Sequence, residues 1–336
     1  MARLHIEPYD ERDTPFKRLT LPGFPRGTHY KTLSIDDESG ACSLILKLEA
    51  GWRRPPGFSY SEMELFVLDG SLVVGDEAWQ PGRYLWLPAG VSLPAMHAPR
   101  GARLLAFYNY GEPSFVESAE DPRGAFRDGV ISLDTYHGMQ WNPVVRKAPG
   151  VAPGCLTKVL RVDPVTKACT FLYCMTPNYW QDNISYHDCC EESYHIWGTS
   201  WMMQFGYLPT GGYFWRPPYI DHGAFRCKYG TLAIGRTDSR LHNYFHYNPW
   251  SNPKENLLRA AAQVYRQRPM LYQWTASDGH NHPHGPPDFQ NPGYQDDAHL
   301  RALHAISGHD HGHGHDHDHD HAHEKPRARA RARSKR

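Results

Sequence analysis

Residues 31–42 recur 127 positions further on: Lys31, Leu33, Asp36, Ala41 and Cys42 fall without a gap on Lys158, Leu160, Asp163, Ala168 and Cys169. The register persists, slightly lengthened, as Gly82, Tyr84, Trp86 and Pro88 fall on Gly211, Tyr213, Trp215 and Pro217. Ser59 and Tyr60 match Ser185 and Tyr186 between these blocks, and Gly70 matches Gly198. A chain that contains itself twice is built from two units of one architecture. Its 336 residues suit that reading, because a domain takes roughly 150 residues.

Within each copy, short alternating runs are broken by Gly, Pro and Asp: residues 41–48, 65–74 and 84–87, then 170–175 and 201–207. Such runs predict closely spaced strands in sandwiches or barrels. The stretch 113–153 is rich in Gly, Pro and Asp and reads as a connection. One helix is predicted after the second copy, where Asn252 caps, Pro253 suits the first turn and Glu255 takes the capping-box place. Leu257, Leu258, Ala261 and Val264 supply its apolar stripe, expected to pack beside the second barrel.

Charge and cysteine content narrow the functional classes. Lys plus Arg equals Asp plus Glu at 36 each, which gives no global attraction to nucleic acid or to an anionic membrane. The opening residues carry no apolar h-region and no long apolar run occurs, so a cytoplasmic protein without a membrane span is expected. Seven cysteines lack a C-x-x-C pair and are expected to be reduced.

The copies differ at residues that bind metal. The second contains His187, Glu191, Gly198, Pro217 and His222, where the first has Ser59, Met63, Gly70, Pro88 and Leu93. The order resembles the two motifs of the cupins: a histidine pair one residue apart, a glutamate and a closing glycine, then glycine, proline, glycine and histidine. His187 matches the second histidine of the pair, Glu191 the glutamate and His222 the later histidine. Ser185 stands in place of the first histidine, and Tyr219 in place of the glycine after Pro217. Two imidazoles and a carboxylate are a donor set with open coordination positions, which suits Fe(II) and leaves Mn, Ni, Cu or Zn possible.

The resemblance implies a bicupin, two tandem double-stranded β-helix barrels. Its expected divisions are an N-terminal barrel over 1–112 without metal ligands, a connection over 113–153, a metal-binding barrel with the terminal helix over 154–270, and a loop and tail over 271–336. Within cupins the chain looks most similar to carbon-bond-cleaving oxygenases and to ChrR-like regulatory cupins. An Fe(II) dioxygenase acting on a small aromatic or dicarbonyl substrate is the activity this implies. The alternatives are a non-catalytic metal- or small-molecule-binding regulator and a redox-neutral isomerase or decarboxylase. Pairing into a homodimer is the family habit, and the metal-free half is expected to supply contacts or a cover.

Further candidates follow from position. His195 lies four residues beyond Glu191 and is a candidate proton shuttle or a hydrogen-bonded core group. Tyr213 and Trp215 share one face of their strand and are candidates for the pocket wall, with Arg216 on the opposite face and Tyr213 a second catalytic candidate. Cys189 and Cys227 are near enough in sequence to approach the site, though a cysteine there is more often a small buried hydrophobe. From His309 to His323 eight histidines alternate with Asp, Gly or Ala, and an Arg-rich run ends the chain. The composition predicts a disordered, solvated tail with several weak transition-metal sites.

Overall fold

The computed structural model describes residues 3–118, 129–144, 154–181, 184–203 and 205–245. Among them the chain is all β, with one short 3-10 turn over Glu11–Asp13 and no α-helix. The predicted helix over 252–264 and the histidine- and arginine-rich tail lie outside the described residues.

The duplication is visible strand by strand. One seven-stranded sheet runs in the order Ile131–Asp134, Arg83–Leu87, Glu62–Gly70, Ala102–Asn109, Cys42–Leu48, Thr28–Ile35, Lys17–Arg18. The other runs Ile6–Asp10, Gly212–Arg216, Glu191–Gly198, Thr231–Thr237, Cys169–Met175, Cys155–Val162, Asn142–Pro143. Each is accompanied by a four-stranded sheet and a two-stranded ribbon. Register fixes the equivalences: Met63 pairs with Leu87 as Glu191 pairs with Arg216, and an isolated bridge joins Gly57 to Leu93 as another joins Ser185 to His222. Gly57 is therefore the counterpart of Ser185 and Ser59 that of His187, which corrects the residue-by-residue match of Ser59 with Ser185.

The matched glycines show why the repeat keeps them. Gly70 has φ +77° and Gly198 φ +84°, and a Cβ at either would lie within 2.3 Å or 2.2 Å of a carbonyl oxygen on the neighbouring strand. Only a residue without a side chain lets the strands approach so closely in that conformation.

Strands are exchanged between the repeats. Ile6–Asp10, which leads the first, pairs antiparallel with Gly212–Arg216 of the second barrel. Ile131–Asp134, which leads the second, pairs with Arg83–Leu87 of the first. The repeat lysines hold the ends of these strands: Lys31 Nζ donates to the carbonyl of Glu11 and lies over the ring of Phe16, and Lys158 Nζ donates to the carbonyl of Thr135 and lies over Trp141.

The long sheets face each other across an apolar layer drawn from both repeats, including Ile45, Phe66, Tyr84 and Phe107 from one and Leu172, Tyr194, Tyr213 and Trp215 from the other. Burying each such side chain stabilises the fold by roughly 1.5–3 kcal/mol. A polar cluster crosses the same layer. Tyr84 donates to Glu64 and Tyr213 to Glu192, at 2.7 and 2.6 Å, and Arg236 bridges the two carboxylates at 2.9 and 2.8 Å. Burial pushes the Glu64 carboxyl up, but Arg236 and hydrogen bonds from Thr170, Tyr84 and Asn109 outweigh it and hold it below its usual value. The first barrel's interior is filled by its own core, where Leu44, Leu46, Met63, Leu65, Leu85 and Leu87 pack together.

Candidate metal centre

Three ligand-bearing residues converge inside the second barrel. Glu191 opens the strand Glu191–Gly198. His187 precedes it in the loop after Ser185–Tyr186, and His222 is delivered by the bridge to Ser185, whose two backbone hydrogen bonds are each 2.8 Å. Glu191 Oε2 lies 3.7 Å from His187 Nε2 and 3.8 Å from His222 Nε2, and the three ligand atoms fall within 4.8 Å of one another. Transition-metal bonds to such donors are about 2.0–2.2 Å, so small inward shifts would let all three share one ion.

The orientation of both imidazoles is set from behind. His187 Nδ1 donates to the main-chain carbonyl of His242 at 2.7 Å, and His222 Nδ1 donates to that of Ile220 at 2.8 Å. A carbonyl only accepts, so the proton sits on Nδ1 and each Nε2 presents its lone pair toward Glu191. Burial lowers the His222 pKa to about 4, which keeps that ring neutral at physiological pH. The donor set therefore fits a divalent transition metal.

Two departures from the cupin motif acquire a structural reading. Ser185 is buried and lines the same cavity, so the place of a fourth ligand carries a hydroxyl. Tyr219 has φ +67°, and its N–H donates to the carbonyl of His187 at 2.8 Å. In the first barrel Gly90, φ +76°, donates likewise to Ser59. The turn thus keeps its left-handed shape although glycine has been replaced, and it anchors the backbone of a ligand.

The three residues line a cavity of about 520 Å³. Phe171, Tyr173, Met175, Met202, Phe214 and Phe225 give it a largely apolar wall, and its mouth lies at the exposed Val159, Val162, Lys167 and Arg240. Segment 240–243 borders it as well, so the residues that cover the cavity also hold His187.

The other candidates are placed differently. Tyr213 faces the layer between the barrels, where its hydroxyl donates to Glu192 and accepts from the Ser34 hydroxyl, and burial raises its pKa well above the ordinary value. The cavity face of its strand is Phe214 and Arg216, the alternate set from Tyr213 and Trp215. His195 does line the cavity and shares a strand face with Glu191, but four extended residues separate them, about 13 Å at about 3.3 Å each. Its Nδ1 donates to the Leu208 carbonyl at 3.0 Å, and burial lowers its pKa to about 4. His195 is not among the three residues whose ligand atoms converge. Burial pushes the thiols of Cys189 and Cys227 up to about 12 and about 11, and all seven cysteines are free.

Arg216 and His242 had not been singled out for the site. Arg216 replaces Leu87 of the first repeat, a signal present in the repeat alignment itself. The contribution of His242 is a backbone carbonyl, for which sequence carries no signal.

Paired barrels of this topology, with a histidine and glutamate cluster in one, have the fold of a bicupin. The chain belongs to the family described as Domain of unknown function (DUF4437), which matches residues 25–244. Among solved structures it is similar to a "putative dioxygenase" from Nostoc punctiforme, at 19% identity and a TM-score of 0.65, covering 74% of this chain and 92% of that one. Lower similarity links it to a variant of oxalate decarboxylase from Bacillus subtilis, at 11% identity, TM-score 0.46 and coverage of 83% and 86%. A third match is the protein YlbA from E. coli, at 15% identity, TM-score 0.44 and coverage of 67% and 88%. No curated protein matches in sequence.

Proposed function

We propose that the chain is a metal-dependent cupin oxygenase that uses Fe(II) to oxidise or cleave a small organic substrate. The observation that carries this reading is the set of three ligands, His187, Glu191 and His222, beneath an apolar cavity with Ser185 where a fourth ligand would stand. Two histidines and one carboxylate with open positions are the donor arrangement of non-haem iron oxygenases. The name of the Nostoc punctiforme protein agrees with the reading, while the likeness itself establishes only the fold.

Fe(II) held there would supply redox chemistry with dioxygen and open positions for substrate oxygens. The chain's own residues do the remainder. The Nδ1 hydrogen bonds of His187 and His222 turn both Nε2 atoms toward Glu191, and His222, kept neutral by burial, need shed no proton to bind metal. Glu191 supplies one negative charge, and the aromatic and methionine wall orients an apolar substrate and excludes water from the reacting atoms.

The test is metal analysis of the full chain purified anaerobically beside His222→Ala, followed by oxygen-uptake assays with small phenols and diketones. The tail histidines are common to both samples, so the difference reports the barrel site. One equivalent of iron lost in the variant, with substrate-dependent oxygen uptake by the parent, is expected. Equal metal in both would overturn the site, and zinc or nickel without oxygen uptake would replace oxidation by redox-neutral chemistry.

A further inference from the structure

The exchange of Leu87 for Arg216 places a cation inside the barrel. Both side chains are about 1% exposed, and both pair across the strand with the motif position, Met63 or Glu191. Leu87 belongs to a packed apolar core, whereas Arg216 lines the cavity. A guanidinium is expensive to bury and needs partners. Glu7, from the exchanged N-terminal strand and also in contact with His5, holds Nε at 3.4 Å and Nη2 at 3.3 Å. Its Cζ lies over the Phe214 ring, 3.9 Å from the centroid, and 4.9 Å from that of Phe205, so the group is held between ring contacts and Glu7. What remains is Nη1, buried, without a hydrogen bond, and 3.5 Å from Glu191 Oε2.

The rest of the lining has the same sign. Lys167 and Arg240 stand at the mouth, and among the described lining residues Glu191 is the only carboxylate. With Glu191 engaged by a divalent ion, and Glu7 offsetting part of the Arg216 charge from behind, the cavity would still present Lys167, Arg240, the Nη1 edge of Arg216 and a metal to whatever enters. A neutral hydrocarbon has no use for that field.

We propose that the substrate is a small organic anion, a carboxylate on an apolar or aromatic body, and that Arg216 Nη1 is its anchor beside the metal. The assignment deepens the oxygenase reading and rests on it for the metal, but the cation and the cavity stand without it. Guanidinium pairs with carboxylate through directed, charge-assisted hydrogen bonds, and the ring contacts leave Arg216 little freedom to lose on binding. The steering cations at the mouth would speed capture of an anion and reject its neutral analogue.

The test compares acids with their own amides: acetate, benzoate, phenylacetate and octanoate against acetamide, benzamide, phenylacetamide and octanamide. Binding is measured by calorimetry on the full chain, both iron(II)-loaded under anaerobic conditions and metal-free. At least one acid should bind tenfold or more tightly than its amide. Arg216→Leu, which installs the sister barrel's own residue, should erase the preference while amide affinity and metal content stay constant. Arg216→Gln gives the same comparison with a polar side chain should leucine impair folding. Equal binding of every acid and amide, or a preference that survives both variants, would overturn the proposal. So would a loss of metal without loss of the preference, which would make Arg216 a positioning residue for Glu191. If His222→Ala shows that the barrel holds no metal, the oxygenase reading fails separately, and the metal-free arm still decides the role of Arg216.

Discussion

The imidazole of His187 is held by a main-chain carbonyl 55 residues later, that of His242, at 2.7 Å. A candidate ligand of the second barrel therefore depends on the segment that follows the last long strand. That segment returns as the short strand Tyr244–Phe245, which pairs with Ser185–Tyr186 on the ligand loop. A chain ending at Asp238 should bind metal about 10–100-fold more weakly than one ending at Phe245, the usual penalty for losing a group that orients a ligand. Competition titration with a chromogenic chelator reads this directly, and equal affinities would show that His187 needs no such support.

Arg236 faces two carboxylates, Glu64 and Glu192, each also bonded to a tyrosine of its own repeat. Arg236→Met would leave Glu64 in the layer between the barrels without its cation, and Glu192 with only Arg3 at 3.8 Å. A loss of about 3–5 kcal/mol is expected from breaking a buried pair at one end. Urea unfolding provides the check, and a midpoint like that of the parent would mean that water already reaches the cluster.

Tyr219 carries a left-handed φ of +67° where the sister turn has Gly90. A non-glycine residue pays roughly 1–2 kcal/mol for that conformation, and glycine gives part of it back as extra freedom in the unfolded chain. Tyr219→Gly should therefore be neutral or stabilising by up to about 1 kcal/mol. It also removes the 6.0 Å ring contact with Tyr186. Thermal melting of the two proteins side by side settles the sign, and a fall in Tm beyond a few degrees would assign the stability to the ring.

His195 is buried and neutral, its pKa lowered from 6.5 to about 4 by burial. The unfolded chain takes up a proton near pH 6.5 and the folded chain does not until about pH 4, so this residue costs no stability above pH 6.5 and progressively more as pH falls toward 4. The full effect is on the order of 3 kcal/mol. His222 carries a shift of the same direction and size, so His195→Gln should remove about half of the pH dependence of metal-free stability between those limits, as measured by denaturant midpoints. An unchanged slope would place the titration elsewhere.

The repeat offset made both barrels legible before any coordinates, because glycines such as Gly70 and Gly198 are tied to close backbone approach and leave a mark in sequence. His187, Glu191 and His222 were legible for the same reason, as polar exceptions against Ser59, Met63 and Leu93. The facing of Gly212–Arg216 was not. Both of its faces are buried, one in the cavity and one against the other barrel, so alternation could not say whether Tyr213 and Trp215 or Phe214 and Arg216 looked inward. The exchanged strands were also invisible, since Ile6–Asp10 finds its partner some 200 residues away and no local pattern encodes that pairing.

The exchange of Ile6–Asp10 and Ile131–Asp134 makes neither repeat complete alone. A protein made of one such repeat would leave an edge of its long sheet bare unless it folded its own leading strand back or borrowed one from a second molecule. Here each repeat supplies the other's edge. The leucine-filled first barrel therefore comes with the strand that completes the sheet carrying Glu191, and the metal centre is built on an edge that its own repeat does not provide.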